Sequence, residues 1–478
     1  MIVYSNKATR ALKAQVRSRK LKICAIALLV LVFLVLGYFL SSSSSANSEP
    51  RLPKVEYPRL WQTDIDAGGQ GGRWYIPPNW LTDAPALPNS LRRDPTTTLE
   101  AAELAFYLVR SQSRNINGSN IPLIVHQTVA STDPKAWPAN LPQYVESWLS
   151  MCQGQSISGQ VTAAEHEMAY ILWDDDGVNE MMTKYERNHF LNCYQAMPMS
   201  VEKVDIFRVA VLRWFGGVYS DIDTEPLRHP ATWIEPMDIQ PWEDKLDGST
   251  YSLPKSSQTT IYPAPTNSYP QYLELCKLSS RRRRKPASSD QTSLVGAIVG
   301  IEADLPPDRD DYWRAGYGFP LQITQWTIAL TPHHPLALKY LSSVADETQR
   351  LTEAGALQNA YAVDLTGPVQ FTKAIKNWLE AEIGLRWNAL SGIQDGGRSK
   401  AVLDVLVLPI TGFSPGRKWW PIMGSKSTSH HSARIYHAFQ GSWRRGFDWK
   451  VEFGKICRSV FGQCRSWSKS PVYYNSNN

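Results

Sequence analysis

The sequence predicts an α/β fold in which a doubly wound sheet binds its ligand where the strand order reverses. Short apolar runs that end in polar or acidic residues alternate with helix-like stretches, as at residues 121–128, 170–176 and 294–304. Such runs are typical of buried parallel strands whose C-terminal ends line a cleft. The 478 residues are 43% hydrophobic and include 18 Trp and 21 Tyr, which is enough for one large domain with appendages or for two domains.

The central segment of this prediction is residues 200–226, SVEKVDIFRVAVLRWFGGVYSDIDTEP. Ser200 is a candidate N-cap and Glu202 places an acid in the first turn. The spacing of the apolar residues that follow, up to Phe215, predicts a helix. Gly216–Gly217 then ends this helix, because glycine accepts the left-handed conformation of a helix C-terminus.

A β-rich run at residues 218–222 carries acids at its end. Side chains alternate along a strand, so Asp221 and Asp223 are expected to point the same way while Ile222 enters the core. Burying two carboxylates is costly unless they are paired. A hard divalent cation is the simplest partner, with phosphate oxygens completing its shell. The alternative interpretation is an ordinary acidic turn after a strand.

The helix before this run contains a second pair of charges. Asp205 and Arg208 are three residues apart in an otherwise apolar stretch, so they lie on one face of the helix. The pair is either an intrahelical ion pair at the surface or part of a site.

Asp-x-x-Arg, an apolar helix, Gly-Gly-Val-Tyr and Asp-x-Asp follow one another in this order. The combination resembles the sugar-nucleotide site of glycosyltransferase family 32, the family of the fungal initiation-specific α-1,6-mannosyltransferases. The resemblance covers residues 119–445 and implies a GT-A-type nucleotide-sugar-binding domain. It also implies metal-dependent, retaining transfer of mannose from GDP-mannose to an N-glycan or mannan acceptor. The catalytic residues would be Asp221, Asp223, Asp205 and Arg208.

The resemblance implies a donor-binding set at the ends of two earlier strands and in the central segment. Its members are His126, Gln127 and Thr128, then Asp174, and finally Gly217 and Tyr219. A single histidine at a strand end is more often structural than catalytic, so His126 is a candidate for binding only. Trp173 is expected in the core.

Acceptor-binding candidates lie in the second half of the chain. The run at residues 294–304 ends in Glu302 and Asp304, and alternation places both on one face. The resemblance implies that these carboxylates hold sugar hydroxyls and that Trp326 forms the floor of the acceptor pocket.

A late His-x-Phe-x-Gly-Ser-Trp pattern is also shared with the family. The resemblance implies that His437 is the third protein ligand of the metal, with Ser442 and Trp443 as lesser site candidates. Neutral imidazole suits manganese better than calcium, so Mn²⁺ or another divalent cation is the expected cofactor.

The N-terminal part predicts a type II membrane topology. Residues 1–22 contain seven basic residues and no acid, and residues 23–40 are an apolar run of 18 residues. The positive-inside rule predicts a cytosolic tail and a transmembrane anchor, respectively; a cleaved signal peptide is the alternative. We expect a stem at residues 41–118, a catalytic domain at 119–445 and a C-terminal tail at 446–478.

The expected location is the Golgi membrane with a lumenal catalytic domain, since a short span suits the membranes of the early secretory pathway. Asn117, in an N-glycosylation sequon, would then be accessible for modification. The total charge is +6, and the seven basic residues of the tail account for it, so nucleic-acid binding is not indicated. The basic loop at residues 281–285 is either a polyanion contact or a solvated loop.

Six cysteines are too few for a disulfide scaffold. Cys457 and Cys464 are plausible partners because they are close in sequence. The implied partners of the chain are GDP-mannose, a glycan acceptor, the membrane and other glycosyltransferases in a complex. Two alternatives remain: an inositolphosphoceramide mannosyltransferase, and a non-catalytic lumenal glycan-binding protein with the same fold.

Overall fold

The computed structural model describes residues 70–84, 87–154, 167–254, 262–264, 272–273, 276, 295–306, 309, 311–416, 423–440, 449–464 and 467. The predicted anchor at 23–40, the basic loop at 281–285, Ser442 and Trp443 lie outside these residues. Within the described ranges, no helix combines the length and the apolar character that crossing a membrane requires.

A mixed sheet of nine strands forms the centre of the fold, in the order β1-β3-β2-β4-β10-β8-β12-β11, with β9 paired to β8. Two further ribbons pair β5 with β13 and β6 with β7. The strands are β1 (Gly72–Tyr75), β2 (Ile124–Thr128), β3 (Ala169–Trp173), β4 (Gly217–Ser220), β5 (Thr224–Pro226), β6 (Trp242–Glu243), β7 (Thr250–Tyr251), β8 (Ala297–Asp304), β9 (Leu321–Ile323), β10 (Thr327–Leu330), β11 (Lys400–Val402), β12 (Val405–Leu408) and β13 (Ile435–His437).

The strand directions bring the polar strand ends to one edge of the sheet. β2 is parallel to β3 and to β4, whereas β10 is antiparallel to both β4 and β8. β4 and β8 therefore run in the same direction, and the C-terminal ends of β2, β3, β4 and β8 share an edge. The α/β class is confirmed, but the sheet is mixed, because β10 enters between β4 and β8 in the opposite direction.

Helices also form in the described part of the chain. They are α1 (Pro78–Thr82), α2 (Thr98–Gln112), α3 (Leu141–Cys152), α4 (Asp175–Tyr185), α5 (His189–Ala196), α6 (Ser200–Phe215), α7 (Pro335–Glu353), α8 (Ala362–Leu365), α9 (Pro368–Ile383), α10 (Ile410–Phe413) and α11 (Trp449–Phe461). α6 contacts β2, β4 and β10. Four consecutive residues of α6, from Val209 to Leu212, are fully buried, as expected for a helix that is covered on all sides.

Two predicted boundaries in the central segment are wrong. Ser200 is the first residue of α6 rather than its N-cap; Met199 holds that position, and its backbone N–H donates to the Glu202 carboxylate over 3.0 Å. β4 ends at Ser220 rather than at residue 222, so the two acids lie on a turn between β4 and β5. Ile222 is only partly buried against the core.

The folded unit begins earlier than the predicted catalytic domain. β1 lies within the predicted stem and pairs antiparallel with β3, while Trp80 is fully buried. Trp74 and Trp80, two aromatic residues of this segment, are both part of the hydrophobic core. At the other end of the chain, the predicted tail contains α11 and a disulfide between Cys457 and Cys464, which confirms that pairing.

Candidate active site

The turn that carries the two acids is held by hydrogen bonds from distant elements. The backbone N–H of Asp221 donates to the Trp326 carbonyl over 2.8 Å. The Asp221 carbonyl accepts from the Thr224 N–H at 3.1 Å, the Thr224 hydroxyl at 2.6 Å and the Gln127 side-chain amide at 3.0 Å. The N–H bond keeps the antiparallel register in which Ser220 faces Thr327, but the carbonyl bonds Thr224 and Gln127 instead of β10, so the strand ladder ends here.

Asp221, Asp223 and His437 form a cluster that fits a divalent cation. One ligand atom from each residue lies within 4.8 Å of the others. Nε2 of His437 is 3.0 Å from Oδ1 of Asp223, whose Oδ2 accepts the Gln440 N–H over 2.8 Å. The Asp221 side chain is 27% exposed and those of Asp223 and His437 only 12% and 9%, so the cluster opens to solvent on the Asp221 side. Carboxylate oxygens and imidazole nitrogens are both common ligands of divalent cations.

Arg208 connects this cluster to Asp205. Its Nη2 lies 2.9 Å from Oδ1 of Asp205 and 3.3 Å from Oδ1 of Asp221. The Asp205 and Arg208 side chains are only 7% and 8% exposed, so the alternative of a surface ion pair is wrong. Nη1 of Arg208 donates to the Gln325 carbonyl over 3.1 Å, and the Thr366 hydroxyl donates to Oδ2 of Asp205 over 2.8 Å.

Burial and charge act in opposite directions on the three acids. Burial raises the pKa of Asp205 to about 6, against the opposing influence of the Arg208 charge. Burial also raises the pKa of Asp221, although Arg208 and His437 oppose it. Burial would raise the pKa of Asp223 too, but hydrogen bonds from His437 and the Gln440 backbone outweigh it and lower that pKa. Of the three acids, Asp223 therefore loses its proton most readily.

His126 has a buried position behind this edge. The Trp173 indole donates to its Nδ1 over 3.2 Å, which leaves Nε2 to donate to the Gly216 carbonyl at 3.1 Å. The ring has no exposed surface, and burial lowers its pKa to about 3. Trp173 is fully buried, as expected for a core residue. The ring thus holds the turn at Gly216, and donor binding by His126 stays a prediction.

Gly217 follows in a conformation that favours glycine, with φ of +97°. A Cβ atom there would lie 2.4 Å from the Ile124 carbonyl oxygen of the neighbouring strand. The close parallel pairing of β2 and β4, and with it the position of the acidic turn, depends on this glycine.

The remaining donor-binding candidates each have a hydrogen-bond partner within the protein. The Thr128 hydroxyl is 3.0 Å from the Tyr219 hydroxyl, and the Arg208 guanidinium lies 5.2 Å from the centre of the Tyr219 ring. Gln127 is buried and accepts from the Tyr170 hydroxyl over 2.6 Å. Asp174 caps α4, since its Oδ1 accepts the N–H of the third helical residue over 2.9 Å. Binding roles for these residues stay predictions.

Glu302 and Asp304 lie at the same edge of the sheet but have different surroundings. Oε2 of Glu302 accepts the Gln322 amide over 3.0 Å, whereas Oδ2 of Asp304 accepts the Gly392 N–H over 2.7 Å. A register shift between β8 and β9 in this stretch interrupts the alternation on which the same-face prediction depended. Burial raises the pKa of Asp304 to about 6.

Trp326 packs inside an aromatic group rather than lying open. Only 6% of it is exposed. Its ring centre lies 4.8 Å from that of His437 and 5.0 Å from that of Phe439. The sequence analysis did not predict three residues that contact this site, namely Phe439, Gln440 and Thr366. Phe439 and Gln440 lie within the quoted His-x-Phe-x-Gly pattern, and Thr366 directly precedes the Gly-Pro helix entry at residues 367–368; these patterns were the available signals.

Residues 138–240 match the family "Glycosyltransferase sugar-binding region containing DXD motif". The matched segment contains Asp205, Arg208 and both acids of the turn. This part of the chain is a glycosyltransferase sugar-binding region. The resemblance to glycosyltransferase family 32 is confirmed.

The chain is also similar to fungal proteins over a longer stretch than the sugar-binding region. The chain is 31% identical over 330 residues to the initiation-specific alpha-1,6-mannosyltransferase of Schizosaccharomyces pombe, covering 68% of this chain and 64% of that protein. It is 28% identical over 272 residues to the protein of the same description from Candida albicans, covering 52% and 56%. The chain thus spans less than two thirds of the length of these relatives. A shorter match, 30% over 121 residues, covers 24% of this chain and 29% of inositol phosphoceramide mannosyltransferase 3 of Schizosaccharomyces pombe.

Proposed function

We propose that this chain is a hexosyltransferase that moves mannose from GDP-mannose to an N-glycan or mannan acceptor through an α-1,6 linkage. The donor, acceptor class and linkage are supported by the resemblance and by the mannosyltransferase relatives. The observation that carries the proposal is the link that Arg208 makes between Asp205 and Asp221 at the edge where parallel strands end. Ligands of open α/β sheets bind at such edges.

The residues of the cluster fit the role of a cation site. Asp221, Asp223 and His437 would hold Mn²⁺. When bound, the cation neutralises charge that develops on the departing diphosphate. The Arg208 guanidinium would contact phosphate, and the Asp205 carboxylate would hold sugar hydroxyls, so that the anomeric carbon faces the acceptor.

The proposed reaction retains configuration at the anomeric carbon. The bond from this carbon to the phosphate oxygen breaks, and a bond to the acceptor oxygen forms on the same face. The acceptor hydroxyl gives its proton to the leaving phosphate oxygen, so the atoms balance without a side-chain base. A glycosidase-like pair of carboxylates needs ~5–9 Å between the two groups, whereas the candidate ligand atoms of Asp221 and Asp223 lie within 4.8 Å of each other.

We further propose a Golgi location with single-pass type II topology and a lumenal catalytic part. The basic residues before the apolar run at 23–40 support it. Carbonate extraction is the test: the full chain should stay with the membrane pellet. Recovery in the soluble fraction at reduced mass would contradict the anchor.

GDP release tests the enzymatic proposal. Full-length protein in detergent is incubated with GDP-mannose, GDP-glucose or UDP-sugars, with Mn²⁺ or with chelator, and with or without an α-mannoside acceptor. We expect GDP release from GDP-mannose that requires the metal and rises with acceptor. Binding of glycan with no release of GDP from any donor would instead favour the non-catalytic glycan-binding alternative.

The match to an inositol phosphoceramide mannosyltransferase favours one second candidate acceptor. Offering inositolphosphoceramide in mixed micelles beside the α-mannoside distinguishes the two. Transfer to the saccharide alone supports the glycan acceptor, and transfer to the lipid alone would replace it.

A further inference from the structure

We infer that the ring of Phe439 is an apolar platform on which the acceptor sugar rests. The inference depends on the proposed function and adds to it a residue and a mode of binding. Sequence reasoning assigned the floor of the acceptor pocket to Trp326, and the structure points to its neighbour instead.

Exposure separates the two aromatic residues. Trp326 is 6% exposed and Phe439 45% exposed, although their ring centres are 5.0 Å apart. Phe439 also lies against His437, with ring centres 4.0 Å apart. The aromatic surface that a ligand beside the cation cluster meets is therefore that of Phe439, and the buried Trp326 ring packs against it edge to face.

The backbone holds this ring in place at a conformational cost. Phe439 has φ of +53°, a left-handed conformation that bulky residues rarely adopt. The residues on both sides are tied to one acid of the turn: Ala438 N–H donates to the Asp223 carbonyl over 3.0 Å, and Gln440 N–H to the Asp223 carboxylate over 2.8 Å. Strained residues that are held this firmly cluster at ligand sites.

The order of the strands places the Phe439 ring on the side of the cation cluster that faces away from β2 and β3. β2 and β3, whose ends carry the polar candidates for nucleotide binding, lie on one side of β4. β10 and the neighbouring Trp326 lie on the other side, where Phe439 packs. If the nucleotide binds over the ends of β2 and β3, the Phe439 ring is available to contact the acceptor sugar. The C–H face of a hexose is apolar, and an aromatic ring is a rigid surface for it.

Four variants of the full-length protein in detergent test the inference. Phe439→Ala removes the ring, and Phe439→Gly removes it without strain, because glycine accepts a positive φ. Phe439→Trp keeps an aromatic face. Phe453→Ala is the matched control, since Phe453 is 43% exposed and lies on α11. The readouts are the KM for methyl α-mannoside and for α-mannotriose at saturating GDP-mannose, and the Kd for GDP in Mn²⁺ by calorimetry.

We expect the Ala and Gly variants to raise the acceptor KM at least ~5-fold, with the Trp variant and the control within ~2-fold of wild type. The Kd for GDP should not change. An unchanged acceptor KM in the Gly variant would overturn the inference. A parallel rise in the Kd for GDP would do so as well, because it would make the ring a nucleobase platform. A failure of the proposed function would be distinguishable from this outcome, because the wild-type protein itself would then release no GDP.

Discussion

Nε2 of His437 lies 3.0 Å from Oδ1 of Asp223, although 214 residues separate the two in the chain. β13 makes this possible by pairing antiparallel with β5, which follows the acidic turn directly. The same pairing places His437 opposite Thr224. A late segment of the chain therefore completes a cluster that the central segment begins, and changes in either segment should affect the same cation.

Removing the imidazole should weaken metal binding. His437→Ala removes one of the three proposed protein ligands and leaves the two carboxylates. We therefore expect the Mn²⁺ concentration for half-maximal GDP release to rise at least ~10-fold. The measurement is a Mn²⁺ titration at fixed GDP-mannose. His431→Ala is the control, since His431 is exposed and lies six residues earlier in the chain. Equal titration curves for the two variants would rule out His437 as a ligand.

Arg208 should not be replaceable by lysine. One guanidinium reaches Asp205, Asp221 and the Gln325 carbonyl, and a single ammonium group cannot span these acceptors. We expect Arg208→Lys to lower kcat/KM for GDP-mannose ~100-fold through misplacement of the acids.

The matched control is Arg350→Lys, in which the guanidinium is 62% exposed and pairs within a helix with Glu347. Such surface pairs contribute little, so this variant should keep wild-type kinetics. Near-normal kcat/KM in Arg208→Lys would show that the bridge between the two acids is dispensable.

Gly217 should not tolerate a side chain. In Gly217→Ala the new Cβ would meet the Ile124 carbonyl oxygen at 2.4 Å, at a residue with φ of +97°. Backbone strain and the clash together should lower the free energy of unfolding by ~3 kcal/mol or more. The test is chemical denaturation in urea, followed by tryptophan fluorescence.

Gly355→Ala provides the control for this prediction. Gly355 also has a positive φ, of +62°, but a Cβ there meets nothing within 4 Å. Gly355→Ala should therefore lower the free energy of unfolding only by the conformational cost of ~1 kcal/mol. If both variants lose the same free energy, the close approach of β2 and β4 does not constrain Gly217.

Local patterns predicted the parts of the site that are close in sequence. The spacing of Asp205 and Arg208 predicts a shared face, and the structure places the two in contact. Glycines after an apolar helix predict its end, and α6 ends there. These features follow from the geometry of one helix, so a short stretch of sequence is sufficient to predict them.

Contacts between distant segments were beyond such reasoning. The strand before the acids ends at Ser220 because the Asp221 carbonyl accepts from the Gln127 side chain, 94 residues away in the chain, instead of from β10. Thr366 bonds Asp205 across 161 residues. The strand at residues 72–75 was missed because it is short, begins with glycine and gains its stability from β3.

Glu202 should make the fold less stable as the pH rises. Its residue is fully buried in the first turn of α6, and burial raises its pKa to about 7 from an ordinary value of 4.5. The folded protein then binds a proton that the unfolded chain has lost, so the stabilising contribution is complete below pH 4.5 and decreases until about pH 7.

Glu202→Gln keeps an acceptor for the Met199 N–H and removes the ionisation. Between pH 5 and pH 8 the wild type should lose on the order of 1–3 kcal/mol more than this variant. Urea denaturation at both pH values measures the difference. Glu382→Gln, at an exposed position of α9, should behave like the wild type; the same loss in Glu202→Gln would assign the pH dependence to other groups.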